Sequence, residues 1–454
     1  MRNFNKIKPW IRLVVFLFGI VVINEILTFL LVPAGQFSRW VQHDAVEPEN
    51  TYQLITFGAS ESLRTWDSQT ADEILGIKTY NMGGSAISLE GGIYANFIDT
   101  MEHQSPDRVI LIMGRYEMGG YKEPAKSYIA VAPYLSNQKN AWSYFMRLMM
   151  DGEALKRAFP WTEYRVEIFG GLSSNIKDKM SEEYLEYDVS FLPDDRLHYE
   201  GQGFCPLITE EAISYDNVNE NHQNAFVSKD IIFKDEKIDT LIKIINYAQE
   251  RDCEVIILAA PIPVTSVAFY KYYNSQSVQL KEIAELYGAQ YYDFNMAKPE
   301  LWEPQLDDFY DETHVNEKGA ERYTISVCNL LQKLDAGEDV SNLFYSDWDE
   351  YVASIDYVVT TYMEVEETET DVCAQAFIVS GGETVPEYKF VLHNLEDDTE
   401  QVLQEFSEND IIQINKEKFN NENIVLRVYA RAVGEDDSNK VRYFDYPSSG
   451  EEVK

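Results

Sequence analysis

The sequence predicts an α/β domain on a parallel sheet, preceded by one long apolar helix and followed by an all-β module. Three observations carry this. From Leu54 to Leu334 short apolar runs alternate with amphipathic helical stretches. From about Ser346 the pattern becomes apolar–polar alternation broken by polar turns. Before both, Leu13 to about Val32 is apolar over about the length that crosses a bilayer.

The elements follow in order. Arg2, Lys6, Lys8 and Arg12 precede the apolar run and acidic sequence follows it. That polarity puts the N-terminus in the cytoplasm and the bulk outside the cell membrane, as a single-pass protein. Asn24 and Glu25 interrupt the run; a mid-membrane glutamate costs a few kcal/mol, so Glu25 is expected protonated or paired with a membrane partner. Val32-Pro33-Ala34 also reads as a signal-peptidase site, but the run is longer than a leader's and favours a retained anchor over residues 1–34. Residues 35–53 read as a polar stalk.

In the central domain, 54–340, the expected strands are Leu54–Phe57, Thr79–Met82, Arg108–Met113, Glu254–Ala260 and Gln290–Phe294. Asp67-Ser68 opens a helix that Gly76 stops. Ile87–Glu102, Ile238–Gln249, Ser277–Tyr287 and Glu317–Leu334 carry helical spacing. Residues 115–230 interrupt the alternation as an insertion rich in aromatics, among them Tyr128, Trp142, Tyr144 and Trp161. These rings are expected either to stack on sugar or to form the insertion's own core. In 346–454 the strands Asp371–Val379, Glu387–His393, Ile411–Ile414 and Ile424–Ala432 predict a β-sandwich, immunoglobulin-like in its last strand. It carries no catalytic cluster and reads as a glycan binder or a spacer.

Composition narrows the partners. The formal net charge of −39 argues against nucleic acid and anionic membrane surfaces, which would repel the chain. The four cysteines, Cys205, Cys253, Cys328 and Cys373, include no CxxC pair, so a metal site of that kind is not expected. Buried thiols and a disulfide both stand; unpaired thiols in an exported protein would suggest an anaerobic habitat.

Two motifs carry chemistry. Gly58-Ala59-Ser60 follows the first strand and puts a serine at a helix N-terminus, where free N–H groups favour an oxyanion. Asp311-Glu312-Thr313-His314 sets an acid three residues before a histidine, so one turn presents both. A serine needs a base in reach and an acid orienting that base. Asn316 then caps the following helix. The other histidines, His43, His103, His198, His222 and His393, sit in settings where a lone imidazole usually has no role. Asn81-Met82-Gly83-Gly84 offers a second N–H donor or a plain turn.

Together Ser60, Gly83, Asp311 and His314 resemble the blocks of the SGNH (GDSL-like) hydrolase superfamily, over about residues 50–335. With the anchor, Tyr80-Asn81-Met82-Gly83 and Phe309–Asn316 look similar to the extracytoplasmic branch that includes the teichoic-acid D-alanylation protein and alginate O-acetyltransferases. The resemblance implies a three-layer α/β/α, flavodoxin-like fold. It also implies ester hydrolysis or acyl transfer through Ser60, His314 and Asp311, with the N–H groups of Ser60 and Gly83 holding the oxyanion and no cofactor or metal. Two positions depart from the family. Where it places an oxyanion asparagine the chain reads Gly114-Arg115-Tyr116-Glu117, so Arg115 or Tyr116 is the expected substitute. Glu61 follows the nucleophile, where it either points to solvent or disfavours anionic acyl groups. The expected substrate is an acyl ester of a cell-envelope or secreted glycan. The rival expectation is a non-catalytic envelope protein with a degenerate scaffold and a glycan-binding β-module.

Overall fold

The computed structural model describes residues 2–114, 117–192, 198–209, 213, 233–269, 273–419, 423–437 and 440–446. The chain divides into two compact units. The first is Met1–Ile208 with Phe233–Ile257 and Tyr287–Ala289; the second is Thr209–Ile232 with Leu258–Leu286 and Gln290–Lys454.

A five-stranded sheet has the order β2-β1-β3-β4-β5, the strands being β1 Leu54–Gly58, β2 Thr79–Gly83, β3 Arg108–Met113, β4 Glu254–Ala259 and β5 Gln290–Asp293. β1 pairs in parallel with both β2 and β3, Gly58 lying level with Gly83 and Ile112. This is the doubly wound order of flavodoxin-like sheets. The side to which successive strands are added switches between β1 and β3, and ligands gather beyond the carboxyl ends there. All five positions of β1 and of β2 are buried, as a sheet covered on both faces requires.

Local chemistry places the helices of the first unit. Asp67 caps Ser68–Leu75 by accepting from the Gln69 and Thr70 N–H groups, and Gly76 ends it in the left-handed region at φ 69°. The helical spacing over 87–102 yields a kinked element: a wide turn Leu89–Ile93 precedes the regular helix Tyr94–Met101. The cause is the buried Glu123 carboxylate, which accepts from Ser88 N at 2.7 Å and Gly92 N at 3.0 Å. A Cβ on Gly91 would stand 2.3 Å from that oxygen, so the kink needs a glycine.

The N-terminal helix runs Arg2–Leu31, and its Trp10–Leu31 part is long and apolar enough to span a membrane, with only Leu31 at its end buried. Residues 35–53, expected as a stalk, hold the helix Ser38–Val46, in which Trp40, Val41 and Ala45 are buried. The described part of the insertion forms short helices, Ala125–Val131, Gln138–Arg147, Ala154–Ala158, Leu172–Lys179 and Glu182–Leu185. Its rings serve largely as its own core. Tyr144 is buried and meets Tyr128 edge-on at 4.8 Å, while Trp142 stays exposed and stacks on Phe145.

In the second unit the helix Glu317–Asp335 is followed by two antiparallel sheets, of order β10-β7-β6 and β12-β11-β8-β9. Their strands are β6 Val358–Glu367, β7 Asp371–Ser380, β8 Pro386–Asn394, β9 Thr399–Ser407, β10 Ile411–Asn415, β11 Ile424–Ala432 and β12 Arg442–Tyr446. Val358, Val372, Phe390, Leu426, Val428 and Phe444 form their shared core. β6, β9 and β12 were not legible as strands. β9 is an edge strand with no fully buried position, so it carries no apolar face to read. None of the four cysteines is disulfide-bonded; Cys205, Cys253 and Cys328 are buried and Cys373 is exposed.

Candidate active site

In the first unit, β1 ends at Gly58 because no other residue fits. A Cβ there would lie 2.2 Å from the Ile112 carbonyl and 2.7 Å from Ser62 Cβ. The chain then turns into the helix Ser60–Thr65, leaving Ser60 at its first position, partly exposed beyond the β1 end. Asn81, fully buried, fixes that helix to β2. Its Oδ1 accepts from Ser62 Oγ at 3.1 Å, Thr56 Oγ1 at 3.2 Å and Gly83 N at 2.9 Å. Its Nδ2 donates to the carbonyls of Ser62 at 2.8 Å and Trp66 at 3.0 Å. The sequence places Asn81 in the second strand and in the run Tyr80-Asn81-Met82-Gly83 without showing these bonds. The signal was a lone amide in a strand otherwise too apolar to hold one without partners.

The role expected of Gly83 changes accordingly. Its N–H donates to Asn81 Oδ1 instead of facing an oxyanion. Its missing side chain has a packing purpose, since a Cβ would stand 2.3 Å from Leu63 N. Arg115 and Tyr116, the expected substitutes for the family asparagine, lie outside the described residues.

Glu61 does not point into solvent. It is 9 % exposed, and Ser60 Oγ donates to its Oε2 at 3.3 Å. Glu117, 3 % exposed, comes from the segment after β3. Both carboxyl groups flank Gly114, where a Cβ would lie 2.3 Å from Glu61 Oε1 and 3.1 Å from Glu117 Oε2. Glu117 Oε2 has no partner among the described residues. Burial, and then the neighbouring Glu61 charge, pushes the Glu117 carboxyl well above the usual range. A neutral Glu117 can donate its O–H to Glu61, which resolves both the orphaned oxygen and the like-charge contact. Tyr121 is pushed up to about 12 by burial first and then by the neighbouring Glu123 and Glu61.

In the second unit the acid and the imidazole share one turn. Asp311 Oδ1 accepts from the N–H groups of Thr313 and His314, each at 2.8 Å, and from Thr313 Oγ1 at 3.0 Å. His314 Nδ1 lies 2.9 Å from Asp311 Oδ2 and 3.0 Å from Oδ1. With the proton assigned to Nδ1, that nitrogen donates to the carboxylate and the basic lone pair of the neutral ring sits on Nε2. Burial opposes ionisation of Asp311, but the bonds from His314 and Thr313 outweigh it and hold the carboxyl below its ordinary range.

The turn is braced on both sides. Phe309 and Val315 bridge it, and Asn316 caps Glu317–Asp335 by accepting from Gly319 N at 3.0 Å. Gly319 fits because a Cβ would lie 2.1 Å from the Asp308 carbonyl. Among the described residues no cluster of three or more His, Cys, Asp or Glu has a metal-holding arrangement.

No family model matches the sequence, and none of the curated proteins compared with it does. Among the solved structures that match, two are described as esterase-type proteins. A protein described as an acylhydrolase from Bacteroides fragilis matches at 9 % identity and TM-score 0.30, covering 66 % of this chain and 95 % of its own. A GDSL-like lipase from Bacteroides thetaiotaomicron matches at 9 % identity and TM-score 0.29, covering 66 % and 99 %. At those scores the likeness adds nothing to the argument from residues.

Proposed function

We propose that this chain is a serine esterase or O-acyltransferase acting on acyl esters of a cell-envelope or secreted polysaccharide. In this reading it is held at the cell membrane by its N-terminal helix, with the bulk outside. The observation that carries it is the Asp311–His314 turn, where three hydrogen bonds to the carboxylate and two short approaches to Nδ1 prepare an imidazole to accept a proton at Nε2. Ser60, first residue of a helix at the β1 end, is the nucleophile proposed for it.

The steps balance without a diffusible cofactor. Ser60 Oγ attacks the acyl carbonyl as His314 Nε2 takes its proton; the oxyanion is held by the Ser60 N–H. The imidazolium, steadied by Asp311, then protonates the departing alkoxide. Water or a sugar hydroxyl gives its proton to His314 and takes the acyl group from Ser60, whose departing Oγ regains that proton from His314. The Glu61 carboxylate beside Ser60 disfavours anionic acyl groups, so neutral or cationic ones fit.

A second reading is favoured by one observation. The Gly83 N–H is engaged by Asn81, which removes a donor that oxyanion stabilisation would use. In that reading the chain is a non-catalytic envelope protein whose β-module binds glycan. Hydrolysis of p-nitrophenyl acetate by the full chain, with and without oligosaccharide acceptors, separates the two. Turnover that falls at least about a thousandfold in Ser60→Ala and in His314→Ala supports the enzyme. Turnover within tenfold of wild type in both contradicts it. A shift of product from acetate to acetylated sugar marks a transferase.

A further inference from the structure

The last turn of the N-terminal helix is capped by the insertion. A helix leaves its final carbonyls without intrahelical donors. Here Asn175 Nδ2 donates to the carbonyls of Leu30 and Val32, each at 2.8 Å. Lys179 Nζ donates to those of Phe29 and Val32, each at 2.6 Å. Asn175 and Lys179 are 8 % and 7 % exposed, and Leu31, Val32 and Ala34 are buried as well. Burial brings the Lys179 ammonium down to about 8, so it is still charged at neutral pH and complements the helix dipole.

The chain beyond the cap is equally fixed. The Arg39 guanidinium lies 4.2 Å from the Tyr184 ring and 4.0 Å from the Tyr187 ring. Trp40 Nε1 donates to the Asp188 carbonyl at 3.2 Å. No loose joint separates the apolar helix from the first unit.

The surface around this socket is apolar. The helix end packs against the turns Pro160–Thr162 and Arg165–Phe169 and the helix Leu172–Lys179. These elements and the residue after them expose Val166 at 67 %, Ile168 at 51 % and Met180 at 65 %. Trp161 lies half-buried beside them, with Arg165 and Lys177 exposed. Among the described residues of the first unit outside the apolar helix, ten of the eleven exposed large hydrophobics fall between Trp142 and Val189. Three of these, Val166, Ile168 and Met180, lie on or beside the elements that grip the helix end. Apolar side chains with Trp161, Arg165 and Lys177 suit the headgroup boundary of a bilayer, and Glu163, Glu167 and Asp178 lie on or beside the same elements.

We propose that these segments form a collar seated in the leaflet from which the helix emerges, so that the first unit rests on lipid rather than swinging on a tether. The inference depends on the membrane reading of the helix. Its occupant is the bilayer itself, because the exposed trio lies on or beside the elements that pack against the end of a helix whose Leu13–Ile23 stretch is wholly apolar.

The test uses the full chain in phosphatidylcholine vesicles. In a Cys373→Ser background, single cysteines carrying bimane are placed at Val166, Ile168 and Met180, and at exposed Glu73 as reference. All four positions are at the surface, so the labels leave the core intact. Lipids bearing a nitroxide near the headgroup should quench the three collar positions at least about threefold more than position 73, since interfacial side chains sit about 5–10 Å deep. Equal, weak quenching at all four in chains that resist carbonate extraction overturns the collar and leaves the anchor standing. Extraction of the chain by carbonate overturns the membrane reading and the collar with it.

Discussion

At the scale of residues, the account rests on how a few buried polar groups are satisfied. Asp311 stays ionised well into acid because its partners prefer its charged form. Asp311→Asn should keep the turn but lose the orienting charge, lowering turnover by about 10³–10⁴-fold; steady-state hydrolysis of p-nitrophenyl acetate checks it. Glu117 behaves oppositely. Its folded-state proton affinity is raised, so the stability linked to it is complete below the ordinary carboxylate range and is lost as pH rises through the folded value. Glu117→Gln cannot ionise. Its melting temperature should gain on wild type as pH is raised from acid to alkaline, and a gap that stays constant with pH would remove the neutral-Glu117 assignment.

At the scale of elements, β2 and the Ser60–Thr65 helix act as one piece. Asn81→Ala leaves the Gly83 N–H and the Ser62 hydroxyl without their acceptor, costing about 2–4 kcal/mol. Gly83→Ala drives a methyl toward Leu63 N and costs about 1–3 kcal/mol by overpacking. Thermal unfolding reads both, and turnover should fall with them because Ser60 rides on the same helix. These couplings also explain what was legible. β1, β3 and β4 announced themselves because strands covered on both faces are nearly continuous apolar runs. The Asp67 cap and the Gly76 stop were read from single residues with one structural meaning. The kink at Gly91 was not legible, since its cause, Glu123, is 32 positions away in sequence. Asn81 and Glu117 were missed for the same reason: a buried polar residue shows its purpose only when its partners are in place.

At the scale of the whole molecule, charge sets the conditions of encounter. A net charge of −39 repels acidic polymers at low ionic strength, and salt screens that repulsion within a Debye length of about 8 Å at physiological strength. Rates with an acidic oligosaccharide acceptor should rise as salt is raised to that level, while p-nitrophenyl acetate hydrolysis stays flat. A fall in rate with the acidic acceptor would mean that a local basic site governs the encounter instead. The fold class, the β-module and the apolar helix were all readable, because each depends on periodicity. The burial of Ser38–Val46 was not, because its polar sequence conceals anchors such as Trp40 and Arg39 that work through contacts far along the chain.

The central claim is that Ser60 is a nucleophile activated by His314. Fluorophosphonate labelling of the purified full chain, read by peptide mass, addresses it most directly. The account predicts one modified residue, Ser60, with labelling abolished in Ser60→Ala and at least about a hundredfold slower in His314→Ala. Labelling of another serine, or an unlabelled Ser60 in folded protein, would contradict it.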